Sequence, residues 1–201
     1  MTRCPMNKVR EPPAADPIPL LHLHAQTAWH DPAYLIGNPK GLRRLMRAIA
    51  EALAQGHSTS AEVFVNDGEG FRVRVLCDER LVNKDGGFLA PHPIPLLHLH
   101  AQSAWHDPAY LIGHPEGLRR LIHALTEALA QGHSTSAEVF VNDGEGFRVR
   151  VLCDESPWDA PSWTHRAVPY TDEPAWETHA TRVWPETEFR AAACHPERPE
   201  P

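Results

Sequence analysis

Two histidines one residue apart, His22 and His24, are followed by Trp29, His30 and Asp31, and the same five types return as His98, His100, Trp105, His106 and Asp107. Imidazoles at i and i+2 of a β-strand leave the same face, so each pair could converge on a metal ion. His30 or Asp31 in one copy, and His106 or Asp107 in the other, could then complete three protein ligands of a zinc site, with a fourth position open. An indole beside imidazoles suits a planar or anionic ligand as readily as a metal. On a solvated strand face the same residues would be plain polar surface.

A second candidate lies where Asn38 and Pro39 announce a helix and Arg43 and Arg44 follow in its first turn, with Arg119 and Arg120 as their counterparts. Cations are disfavoured at the positive end of a helix dipole by about 0.3–1 kcal/mol each, and a bound anion would offset that cost. Glu116 in place of Lys40 weakens the anion reading in the second copy. A third candidate is the run from Asn66 through Asp67, Gly68 and Glu69 to Gly70, repeated from Asn142 to Gly146. Its carboxylates could bind a cation or act as acid and base, but a hairpin turn asks for the same residues on backbone grounds alone, and an EF-hand needs more ligands. The sequence contains no Ser-His-Asp order, P-loop or dinucleotide fingerprint.

These candidates come in pairs because residues 17–79 recur as 93–155, shifted by 76 positions. Seven of the 63 aligned residues differ: Thr27/Ser103, Asn38/His114, Lys40/Glu116, Met46/Ile122, Arg47/His123, Ile49/Leu125 and Ala50/Thr126. A two-fold repeat of this length is a small domain rather than a solenoid unit. Copies this similar carry little functional information in the residues they share.

Within each copy the elements are legible. Residues 18–26 alternate, with Leu21, Leu23 and Ala25 on one face and His22, His24 and Gln26 on the other. Residues 34–36 form a short strand ended by Gly37. The helix starts at Asn38 and Pro39, carries its apolar stripe on Leu42, Leu45, Met46, Ile49 and Leu53, and ends at Gly56. His114 is the poorer cap of the second copy. Residues 61–65 and 71–77 form a hairpin whose five-residue loop sets Val65 opposite Phe71, Val63 opposite Val73 and Glu62 opposite Arg74. The expected fold class is α+β: a tandem duplication of a β-β-α-β-β two-layer sandwich, one helix on a mostly antiparallel sheet, with the copies paired as a pseudo-dimer. Domains of this size bury only about 60% of their unfolded surface, and pairing would supply the rest.

The outer segments complete the organisation. Residues 1–16 are polar, Pro-rich and expected to be disordered, and 80–92 form a linker. Residues 156–201 are a tail holding 4 of the 6 tryptophans and 8 of the 20 prolines. Tryptophan is rare in disordered segments, so residues 156–176 should lie on the second copy with Trp158 and Trp163 buried, and the end beyond Trp184 should be frayed.

Net charge is −7. Neither copy nor the tail is net basic, which disfavours nucleic acid as a partner. Cys4, Cys77, Cys153 and Cys194 show no metal or disulfide spacing, and the N-terminus has no secretory pattern. A cytoplasmic protein without membrane contact is expected. The leading functional expectation is a non-enzymatic tandem binding module for a small ligand or a protein partner, regulatory or inhibitory in role, with further homo-oligomerisation open. A competing expectation is a small metal-dependent hydrolase using the His pairs, His30 and Asp31 as ligands and Glu69 as general base. A third is a structural or assembly protein.

Overall fold

The computed structural model describes residues 17–28, 30–58, 60–79, 94–104 and 106–169. The expectations for residues 1–16, the linker 80–92 and the tail beyond 169 fall outside these residues. The first copy contributes β1 (Leu21–His24), β2 (Ala33–Gly37), α1 (Pro39–Gln55), β3 (Ala61–Phe64) and β4 (Gly70–Cys77). The second contributes β5 (Leu97–His100), β6 (Ala109–Gly113), α2 (Pro115–Gln131), β7 (Ala137–Phe140) and β8 (Gly146–Cys153), succeeded by the short α3 (Pro161–Thr164).

The helices are set by their ends. Asn38 Oδ1 accepts from the Gly41 N–H at 2.8 Å, and Gly56 stops α1 in the left-handed region at φ 85°. Asn38 also accepts from the Leu20 N–H at 3.1 Å and donates to the Ile18 carbonyl at 2.6 Å, tying the entry of β1 to the start of α1. His114 caps α2 less well, accepting from the Glu116 N–H at 3.4 Å. Gly41 and Gly117 are glycine because a Cβ there would overlap the carbonyl oxygen of Leu20 or Leu96.

The chain is α+β, with two four-stranded mixed sheets ordered β1-β2-β8-β7 and β3-β4-β6-β5. This corrects the expectation of one mostly antiparallel sheet per copy. Each sheet takes one antiparallel hairpin from each copy, joined at the centre by a parallel pair, β2 with β8 or β4 with β6. Single bridges, Leu20 to Phe64 and Leu96 to Phe140, link the edges of the two sheets. Helix α1 packs on β3 and β4, α2 packs on β7 and β8, and the helices touch each other. One core runs through both copies, including Leu21, Leu23, Leu35, Leu42, Leu45, Val63 and Val73 with their counterparts.

The hairpin register also differs from expectation. Val63 lies opposite Phe71, Ala61 opposite Val73 and Glu62 opposite Arg72, two residues from the predicted pairing. A two-residue slip keeps every side chain on its face, so face chemistry alone could not separate the two registers. The deciding contacts are in the turn, where Val65 and Glu69 share a backbone hydrogen bond of 3.0 Å.

Candidate functional site

The histidines, with Asp31 and Asp107, divide into two different environments rather than one surface. His22 is fully buried. Its Nε2 accepts from the Asn66 N–H at 3.3 Å and its Nδ1 donates to the Ala167 carbonyl at 3.1 Å. One donor and one acceptor is the neutral imidazole. Burial holds its pKa well below the ordinary value, with His24 and Arg166 adding to the shift against the Ala167 hydrogen bond. With both ring nitrogens engaged, His22 has no lone pair to offer a metal. His24, half-buried beside it, is lowered to about 4 by burial and then by Arg166.

These histidines are covered by the tail. Trp163 is fully buried against Leu20, Tyr34, Ile36 and Leu152, with Phe64 at the edge. Its ring centroid lies 5.7 Å from that of His22. Arg166, 2% exposed, stacks its guanidinium 4.0 Å from the Trp163 centroid and pairs with Asp154 at 3.0 Å. Burial pushes the Asp154 carboxyl up, but its hydrogen bonds from Ser156 and the charge of Arg166 outweigh that and hold it below its ordinary value. Asn66 fastens the arm by donating to the carbonyls of Trp163 at 2.6 Å and Arg166 at 2.9 Å.

Two tail expectations are thereby corrected. Trp158 is not buried but 58% exposed. The arm also rests mainly on the first copy rather than the second. The physical reason is the exchange of hairpins: β8 ends beside β2, so the chain leaving β8 meets the first copy's outer sheet face.

The equivalent face of the other sheet is built from the same residues. His98 and His100 stack with centroids 6.3 Å apart, next to Tyr110, Ile112 and Leu76. Among the described residues none covers it as Trp163 covers the first. Leu76 is 43% exposed where Leu152 is 8%, and Tyr110 is 37% exposed where Tyr34 is 8%. Burial, then the charge of His100, lowers the His98 pKa against the pull of Asp143. Cys77 is half-buried where Cys153 is buried.

His30 and His106 stand elsewhere, at the seams between the copies. Both hold the left-handed conformation at φ 62°, which is uncommon outside glycine although His tolerates it better than most. His30 Nε2 lies 3.3 Å from Glu145, and His106 Nε2 lies 3.1 Å from Glu69. Each seam opens a cleft of about 320–330 Å³, one with Glu62, Arg72, Arg74 and His106, the other with Glu138, Arg148, Arg150 and His30. The hydrolase assignment joined Glu69 to His30 and Asp31 of its own copy; Glu69 instead meets His106 of the other.

Asp31 accepts from the Thr27 hydroxyl at 2.8 Å and Asp107 from Ser103 at 2.6 Å, so each closes its own loop. Asp67 likewise accepts from the Glu69 N–H at 2.9 Å. Arg44 and Arg120 donate to the carbonyls of Glu62 and Glu138, at 2.6 and 2.9 Å, fixing helix to strand. Arg119 and Arg120 also face Glu116, at 4.0 and 3.5 Å, and Arg43 is exposed. Trp29 and Trp105 lie outside the described residues.

No set of three His, Cys, Asp or Glu side chains converges on a common metal position among the described residues. None of the described helices is long and apolar enough to cross a membrane. The arm-binding role of Asn66 and the left-handed histidines carried no signal in sequence pattern alone. Compared with protein-family models, curated proteins and solved structures, the chain shows no match.

Proposed function

We propose that the protein is a non-enzymatic tandem binding module, a pseudo-dimer within one chain, whose open outer sheet face receives a tryptophan-bearing segment of a protein partner. One observation carries this reading. The same face exists twice, and in one instance its occupant is known: Trp163 over His22, Ile36 and Leu152, with Arg166 stacked on the indole. The counterpart, uncovered among the described residues, offers His98, Ile112 and Leu76 at matching positions. Burying an apolar side chain there contributes about 1.5–3 kcal/mol, and an arginine stacked on the indole adds about 0.5–2 kcal/mol. The pseudo-dimer reading is supported by the parallel pairs β2–β8 and β4–β6, which use equivalent residues.

The test is a fluorescent peptide of residues 160–169 titrated into the full chain. Saturable anisotropy change is expected, absent with Leu76→Asp and absent for a peptide carrying Trp163→Ala. A titration unaffected by Leu76→Asp would overturn the assignment of the face.

A second reading rests on the seam clefts, where a pair of arginines and a left-handed histidine from different copies suit a small anion. Phosphate titration monitored by the His30 and His106 ring resonances tests it; immobile resonances at millimolar phosphate would sink it.

A further inference from the structure

We infer that residues 174–183 of this same chain are the resident occupant of the open outer face, in competition with any partner. This rests on the binding reading above and names the segment that holds the site in the absence of a partner. The first observation is chemical likeness to the occupant already seen. The bound arm runs Pro161, Trp163, Thr164, His165, Arg166 and Val168, and the chain beyond it runs Pro174, Trp176, Thr178, His179, Arg182 and Val183 in the same order. Both have proline two residues before tryptophan, then Thr-His, then arginine and valine, although Arg166 follows its tryptophan by three residues and Arg182 by six. The sheet faces match residue for residue, so a segment resembling Trp163 and its neighbours fits the second as the arm fits the first.

The second observation is charge. On the open side, β4 presents exposed Arg72 and Arg74 beside Leu76, and the segment and its lead-in bring Asp172, Glu173 and Glu177. The third is reach. The Ala167 carbonyl sits on His22 of β1 at 3.1 Å, and the Leu20–Phe64 bridge places β3 next to β1. From β1 across β3 and β4 to β6 is three strand spacings, about 14 Å. The nine residues from Ala167 to Trp176 extend to about 30 Å, so one chain can serve both of its own faces. A tethered segment acts at an effective concentration in the millimolar range, so a weak fit suffices to keep it in place.

The experiment replaces Tyr110 of the full chain with the photo-crosslinking amino acid p-benzoylphenylalanine and maps the products by mass spectrometry. An intramolecular crosslink to residues 174–183, lost with Trp176→Ala, is the expected result. Crosslinks to residues 80–93, to a second copy as a covalent dimer, or to nothing would overturn the inference. In parallel, the fluorescent peptide of residues 160–169 is titrated into the full chain and its Trp176→Ala variant. Loss of the internal competitor should tighten binding about tenfold. Equal binding to both proteins overturns this inference and leaves the face reading standing, whereas no binding to either sinks both.

Discussion

The imidazole of His22 and the carbonyl of Ala167, 145 residues apart in sequence, meet at 3.1 Å across the outer face of the first sheet. The ring donates in that contact and can do so in either protonation state, but the hydrogen bond that Nε2 accepts from the Asn66 N–H exists only while the ring is neutral, so this end of the arm is sensitive to acid.

Stability should fall on acidification. His22 and His24 have folded-state pKa values below 6.5, with His24 at about 4. The folded state therefore binds fewer protons than the unfolded one between about pH 4 and 6.5. The contribution is fully present above 6.5 and is lost as pH falls through that window. Protonation would also set positive rings against Arg166. Urea midpoints measured from pH 7.5 to 4.5 should drop by the equivalent of about 1–3 kcal/mol; a flat profile would refute the neutral assignment.

Trp163→Ala should cost about 3–5 kcal/mol, as expected for emptying a large buried site. Trp158→Ala, at an exposed position, should change stability by less than about 0.5 kcal/mol. Thermal melts of the two variants side by side check the contrast, and equal losses would mean that the arm lies differently.

Gly41→Ala and Gly117→Ala should both destabilise by about 1–3 kcal/mol or more, since the added methyl meets a backbone oxygen that cannot swing aside. Helix propensity alone predicts the opposite sign, because alanine exceeds glycine by about 1 kcal/mol. The direction of the measured change therefore decides between close packing and propensity.

A fragment of residues 17–79 should form a homodimer, with β2 of one molecule pairing with β4 of the other as β2 pairs with β8 here. Sedimentation across a concentration series tests this. A folded monomer with a sharp melting transition would show that the hairpins can pair within one copy.

Both seam contacts should be weak. His106 is largely solvent-accessible and Glu69 partly so, and ion pairs open to solvent contribute about 0–1 kcal/mol. A double-mutant cycle on these two residues should return a coupling below about 1 kcal/mol, diminished further by salt.

The sequence revealed the elements better than their partners. Asn38, Pro39, Gly56 and the Leu42–Leu45–Ile49 stripe mark α1 because capping and periodicity are local. The exchange of hairpins left no such mark. Val151 in the second copy and Val75 in the first are the same residue in the same context, so pairing β2 with either satisfies the same pattern. His22 and His24 were correctly placed on the face opposite Leu21 and Leu23, but solvent exposure did not come with it. Whether a face is bare depends on a tail far away in sequence, and Trp163 announced burial without saying where. Trp158, equally apolar, gave the same signal and is exposed.

The unequal faces can be put as a matter of stoichiometry across the duplication. A single-copy chain that dimerised would bring two tails to two faces, each the same as the other. Fusing the copies into one chain keeps both faces but only one Trp163 arm, because the first copy runs on into a different sequence from the second. Loss of one 76-residue unit would restore the balance and return a symmetric assembly with an identical arm on each face. Retaining both units thus leaves the chain with two such faces and a single Trp163 arm.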